Sequence, residues 1–316
     1  MRGLVIKSTG TSYGVCFSTG EILDCRVKGN FRIRGIRSTN PVAVGDYVEV
    51  VKGDTSQKEA THWITDVYDR RNYIIRRSTN LSHESHILAA NIDLAALIVT
   101  INHPKTSTTF IDRFLATCEA YRVPACVVFN KIDILNEPEL QQLSLLQSIY
   151  GDLGYQTFAI SALDTQSEEY NQLLTMMNTG VTLLSGNSGV GKSTLLNAIL
   201  GQQVTRTGCI STAHDKGMHT TTFSEMYRLP NTSNEAWLID TPGIKGFGVL
   251  DMQREEVGHY FREIFRIGRE CRYSNCLHID EPGCAVCDAI EQGQIAFSRY
   301  ESYLSMLNDI TEDKYR

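Results

Sequence analysis

The stretch "VTLLSGNSGVGKSTLLNAILG", residues 181–201, decides the fold. Within it, Gly186-x-x-x-x-Gly191-Lys192-Ser193 has the spacing of a phosphate-binding P-loop. The apolar run "VTLL" predicts a strand entering the loop, and "STLLNAIL" predicts a helix leaving it. That placement sets the backbone N–H groups of Gly186, Asn187, Ser188, Gly189, Val190, Gly191, Lys192, Ser193 and Thr194 at a helix N-terminus, where they can surround phosphate oxygens. Lys192 is expected to reach the β- and γ-phosphates, and the Ser193 hydroxyl to ligate Mg²⁺.

Two further stretches name the base and the metal. "PACVVFNKID" is an apolar strand ending in Asn130-Lys131-Ile132-Asp133, the Asn-Lys-x-Asp element of guanine-nucleotide-binding domains. A carboxylate at Asp133 can accept from the guanine N1–H and exocyclic amine, whereas adenine would leave it unpaired. Ser161-Ala162 in "AISALD" matches the turn whose backbone N–H contacts the guanine carbonyl oxygen in such domains. In "AWLIDTPG" a strand delivers Asp240 toward Mg²⁺, and the Gly243 amide is placed to sense a γ-phosphate. "KGMHTTTFSEMY" offers Thr220, Thr221 and Thr222 as the threonine that caps Mg²⁺, with Thr221 favoured. Ile244 occupies the position where many small GTPases carry a water-positioning glutamine, so that task falls to another residue, to the partner or to a rearranged switch loop, with His219, just before the threonine run, as the candidate.

The order of these elements is the informative feature. In ordinary GTPases the P-loop precedes the guanine-recognising elements, but here Asn130 and Ser161 precede Gly186. A circularly permuted domain explains this, with the helical stretch "SEEYNQLLTMM" running directly into the P-loop strand.

Around that domain the pattern changes. Residues 1–70 hold short β-rich runs such as "GLVIKS" and "DYVEVV" between glycine-containing turns, which predicts a small β-barrel. The basic stretch 71–90 reads as a linker, 91–248 as the multidomain chain's α/β GTPase domain, and 249–316 as a helical module. In that module "QREEVGHYFREIF" and "AIEQGQIAFSRYESYLSMLNDI" each predict one helix. Between them "CRYSNCLHIDEPGCAVC" presents Cys271, Cys276, His278 and Cys284, a donor set suited to one closed, structural zinc site, with Cys287 as a spare thiol or substitute ligand.

Composition narrows the function classes. The formal charge of −6 argues against bulk attraction to nucleic acid. Local attraction remains open at "RVKGNFRIRGIR", where Arg26, Lys28, Arg32, Arg34 and Arg37 surround Phe31 without an acidic residue. That stretch suits RNA phosphate and base stacking, or a basic edge that discourages strand aggregation. Nine cysteines, odd in number and with several clustered near the C-terminus, fit a reducing cytoplasm and metal binding better than disulfides. No apolar run approaches membrane-spanning length, so no membrane partner is expected, and a monomer is expected.

Taken together, the barrel, the permuted motifs and the Cys-x4-Cys-x-His-x5-Cys module resemble the bacterial ribosome small-subunit-dependent GTPase A family, RsgA, a resemblance that makes the barrel OB-like. The resemblance covers nearly the whole chain. It implies a late assembly factor that binds GTP or GDP, the small ribosomal subunit and its rRNA, and leaves after subunit-stimulated hydrolysis. The alternative is a non-enzymatic RNA-binding scaffold stabilised by GTP.

Overall fold

The computed structural model describes residues 1–27, 41–53, 61–77, 85–204, 224–230, 232, 235–241 and 252–313. The first five strands are β1 (Arg2–Ser8), β2 (Tyr13–Cys16), β3 (Ile22–Val27), β4 (Tyr47–Val51) and β5 (His62–Val67). They pair in the order β1-β2-β3-β5-β4, and β4 pairs again with β1, which closes the barrel. All the pairings are antiparallel except β3 with β5. Inward positions Val5, Val15, Cys25, Val48, Val50 and Ile64 fill the interior, as the two-residue period of a strand requires. The OB-like reading of this region therefore holds.

Residues 71–90, read as a linker, contain a hairpin of β6 (Tyr73–Arg77) with β7 (Ser85–Ala90). Two buried contacts fasten the barrel to the residues flanking this hairpin. Arg70 donates two bonds of 2.7 Å to the Asp46 carboxylate, and Asn91 accepts from the Arg71 N–H while donating to the Gly45 carbonyl. Glycine is needed at position 45, where φ is +90° and a Cβ would collide with the Ala90 carbonyl oxygen.

The α/β domain comprises β8 (Leu94–Val99), α1 (Thr108–Ala120), β9 (Ala125–Phe129), α2 (Glu137–Asp152), β10 (Gln156–Ala159), α3 (Glu168–Met177), β11 (Gly180–Ser185), α4 (Lys192–Leu200), β12 (Glu225–Arg228) and β13 (Ala236–Asp240). Its strands lie in the order β10-β9-β8-β11-β13-β12, all parallel except β12. Strand β8 is buried along its whole length, so it lacks the polar alternation of a half-exposed strand. Ala95, Leu97 and Val99 face α1 and α2, while Leu94, Ala96 and Ile98 face α3 and α4. The sheet is doubly wound. Strand β12 also pairs with β1 at Lys7 and Glu225, joining barrel and α/β domain in one eleven-stranded sheet.

Strand β11 lies between β8 and β13 although it follows β10 in the chain. The chain runs outward from β8 to β10 and then returns to the far side of β8. Between β8 and β11 the winding therefore reverses, and in open α/β sheets ligands bind beyond the strands' carboxyl ends at such a point.

The C-terminal module departs in detail from the sequence reading. The first expected helix divides into a 3-10 segment (Arg254–Tyr260) and α5 (Arg262–Gly268), because Phe261 between them adopts an extended backbone. The second divides into α6 (Ala285–Glu291) and α7 (Phe297–Asp313), separated by Gly293 at φ +71°. Helix α7 packs on α1, and a buried charge network ties them together. Arg299 of α7 donates to both Glu263 carboxylate oxygens, at 2.7 and 3.1 Å, and to Asp112 of α1 at 2.8 Å. Tyr150 of α2 donates to the same Asp112 oxygen at 2.9 Å. Removing the guanidinium leaves two carboxylates buried without their counter-charge, so Arg299→Met is expected to cost about 3–5 kcal/mol. Chemical denaturation reads this directly, and a change below about 1 kcal/mol would show that the network does not anchor the module.

Candidate functional site

Five loops converge at the carboxyl ends of β8, β9, β10, β11 and β13, and together with the first turn of α4 and the last residue of β13 they carry every described residue of the expected nucleotide site. The P-loop fits here because its glycines lack side chains. At Gly186, φ is +146° and a Cβ would strike the Ile98 carbonyl of β8, while at Gly191, φ is +96° and a Cβ would strike the Asn130 amide. Gly191 caps α4 in the left-handed region, so the chain turns from strand into helix at the phosphate-binding position.

Asn130 joins three motifs that are distant in sequence. Its Nδ2 donates to the Val190 carbonyl at 2.9 Å, and its Oδ1 accepts from the Ala162 N–H at 2.9 Å. It is 3% exposed, so both bonds are shielded from water. Lys131, at φ 65°, donates to the carbonyls of His103 and Gly189, each at 2.7 Å. Burial holds its ammonium below the ordinary lysine range, with Asp133 acting in the opposite direction. His103 was not anticipated from the sequence. Its contribution is a backbone carbonyl, which any residue type supplies, so the sequence carries no signal for it.

Asp133 is exposed, at the rim where a base can approach it. Ser161 and Ala162 are buried, and Ser161 Oγ accepts from the Leu163 N–H at 3.3 Å. Lys192 is 8% exposed and lies over the loop, donating to the carbonyls of Gly186 at 2.7 Å and Asn187 at 2.8 Å. Burial pushes its ammonium down to about 8, against the pull of Asp240. Asp240, at the end of β13, is 2% exposed and stands in register with Leu184 of β11. The next residue, Thr241, donates its hydroxyl to the Leu184 carbonyl at 2.9 Å, fixing the strand end that presents Asp240. His219, Thr220, Thr221, Thr222, Gly243 and Ile244 lie outside the described residues. So do Lys28, Phe31, Arg32, Arg34 and Arg37, while Arg26 is exposed on β3.

A second cluster stands in the C-terminal module. One donor atom from each of Cys271, Cys276, His278 and Cys284 lies within 4.8 Å of the others. Metal–sulfur bonds of about 2.3 Å and metal–nitrogen bonds of about 2.0 Å in a tetrahedron imply donor separations of about 3.5–3.8 Å. The observed separations are 4.0 Å for Cys271 Sγ to Cys284 Sγ, and 3.5 and 3.4 Å from these sulfurs to His278 Nδ1. The Cys3His donor set is thus compatible with zinc.

The surroundings orient these donors. Glu281 accepts from the N–H groups of Leu277 (2.7 Å) and Ile279 (2.8 Å), fixing the loop on both sides of His278. Tyr300 and Tyr303 of α7 donate to the carbonyls of His278 and Leu277, each at 2.7 Å. Such outer contacts hold metal ligands in place. Burial pushes the Cys276 thiol up to about 12, so metal binding must displace its proton.

The family model described as "RsgA GTPase" matches residues 67–250, and that described as "RsgA N-terminal domain" matches residues 2–60. A protein of Phocaeicola vulgatus named small ribosomal subunit biogenesis GTPase RsgA is 56% identical over 316 residues, covering 100% of this chain and 99% of that relative. One of Porphyromonas gingivalis with the same name is 53% identical, with the same coverage. The crystal structure of YjeQ from Thermotoga maritima is similar at a TM-score of 0.73 and 31% identity, covering 98% of each chain. That of YloQ, described as a circularly permuted GTPase, matches in fold at a TM-score of 0.70 and 24% identity, covering 98% of this chain and 95% of the other.

Proposed function

Because the chain belongs to the RsgA GTPase family, we propose that it hydrolyses GTP to GDP and phosphate in late maturation of the small ribosomal subunit, and that the subunit stimulates the reaction. The observation that carries this reading is full-length identity of 53–56% to proteins named for that role. The site supports its chemical half.

On this reading the amides of residues 186–194 hold the phosphates, and Lys192 exchanges its two carbonyl partners for phosphate oxygens. A phosphate charge beside a buried ammonium favours its protonated form. Ser193 and Asp240 would hold Mg²⁺, which would supply positive charge to offset that developing on the transferred phosphoryl group. Asp133 recognises guanine, while Asn130 and Lys131 hold the base and phosphate loops in fixed relation. The Ala162 N–H donates to Asn130, so guanine must share or replace that bond. Thr221 and Gly243 serve as the nucleotide-sensing switch elements, and His219 positions water. Zinc holds the C-terminal module together, and the barrel meets rRNA through the basic stretch that begins at Arg26.

Base choice tests the site. Asp133→Asn replaces an acceptor by an amide that can also donate, which suits the carbonyl at the corresponding position of xanthine. The variant is expected to lose GTP affinity and gain xanthosine triphosphate affinity, each by roughly 5- to 150-fold, since one mismatched hydrogen bond costs about 1–3 kcal/mol. Equal affinities of the unmodified protein for ATP and GTP would sink the assignment of Asp133.

A further inference from the structure

Residues 271–287 contain four thiols and one imidazole, whereas a tetrahedral zinc site takes four donors. The thiol outside the four-donor cluster belongs to Cys287, one helical turn beyond Cys284. The two form Cys284-Ala-Val-Cys287, a C-x-x-C dithiol. The Cys287 N–H donates to Cys284 Sγ at 3.4 Å, and its own thiol points to the carbonyls of His278 and Ile279, each at 3.7 Å. The Cys284 sulfur therefore faces the cluster on one side and the backbone of Cys287 on the other, one helical turn from a thiol outside the four-donor set.

A groove of about 600 Å³ opens onto this cluster, with Cys271, Cys276 and His278 in its wall. Cys276 is half-buried, whereas Cys284 is 3% exposed. A small reagent entering the groove thus meets Cys276 before Cys284.

We propose that a hydroperoxide converts Cys284 and Cys287 into a reversible disulfide that releases the zinc, an inference that rests on the zinc reading above. The Cys276 sulfur attacks a peroxide oxygen, the O–O bond breaks, and Cys276 becomes a sulfenic acid while the peroxide leaves as an alcohol, or as water if it is hydrogen peroxide. Cys284 attacks the sulfenic sulfur, a disulfide forms, and the hydroxyl leaves with the thiol proton as water. Cys287 then attacks Cys284 Sγ, and Cys276 departs as a thiolate. Overall, two thiols give up two electrons and two protons, and the peroxide is reduced to alcohol and water. Zinc has then lost Cys284 and retains at most three donors. Cys287 completes the exchange because no metal bond occupies its sulfur. Without it, the exchange is not completed, and the Cys276 sulfenic acid stays open to further peroxide and proceeds to sulfinic acid, which dithiothreitol does not reverse.

The test compares full-length, zinc-loaded protein with Cys287→Ser. Hydrogen peroxide is added, zinc release is followed with a chromophoric chelator, and peptides are mapped by mass before and after treatment with dithiothreitol and zinc. Both proteins are expected to begin with about one zinc. The unmodified protein should yield a Cys284–Cys287 linkage and regain its zinc fully, while Cys287→Ser should regain several-fold less and carry sulfinic acid in the cluster. A linkage confined to Cys271, Cys276 and Cys284, or equal recovery in both proteins, would overturn the proposal and leave the zinc reading intact. Untreated protein without zinc would overturn both.

Discussion

Cys276→Ser is expected to abolish stoichiometric zinc binding and to unfold the C-terminal module while the barrel remains folded. Structural zinc contributes about 10–16 kcal/mol in small zinc-binding peptides at neutral pH, far more than any single buried contact. In this module the cysteines of the Cys3His cluster are also part of the core. Cys284 is fully packed with Val257, Phe261, Ile264 and Val286, and Cys271, Cys276 and Cys287 lie against the same cluster. A metal-free cluster would place protonated thiols and a neutral imidazole in that setting, and burial holds His278 below the ordinary histidine range. The measurement is metal content by elemental analysis, together with hydrogen exchange in residues 252–313. A variant that retains about one zinc and native protection would show that Cys276 is not a ligand.

The second large effect concerns hydrolysis. His219→Ala is expected to lower subunit-stimulated turnover by roughly 10²-fold or more, the range for a positioned acid–base group, while leaving GTP affinity and subunit binding unchanged. The reason is chemical: Ile244 offers no polar atom for the attacking water, so another group must hold it. Single-turnover hydrolysis at saturating subunit separates this from a binding defect. Full stimulated turnover in the variant would remove His219 from the mechanism and assign water positioning to the partner or to another switch residue.

What the sequence disclosed depended on whether a function resided in side-chain types at short spacing. Gly186 and Gly191 were legible because left-handed backbone and close approach both demand glycine. The order of Asn130, Ser161 and Gly186 announced the permutation before any strand was placed, and the observed position of β11 beside β8 gives its geometric counterpart. The Cys3His cluster was legible because a metal-binding donor set leaves few alternatives in residue type.

Other features depended on long-range pairing. Nothing local in Asp112, Glu263 or Arg299 marks them as partners, since they come from α1, α5 and α7. The His103 carbonyl that braces Lys131 has no residue signature at all. Helix continuity was misread for a different reason. The apolar period persists across Phe261 and Gly293, but the backbone departs from helical values at both positions and each expected helix divides. The hairpin of β6 and β7 was hidden by its basic composition, because charged residues within "RRNYIIRR" suggested a solvated connection.

The central claim is that this permuted GTPase is completed by the small ribosomal subunit. Its most direct test is GTP turnover by the unmodified protein, measured with and without saturating purified small subunits under identical Mg²⁺ and salt. Slow turnover alone and stimulation of roughly 10³ to 10⁵-fold by the subunit is the predicted result, the range seen when a partner completes a GTPase site. Equal turnover in the presence and absence of subunits would contradict it.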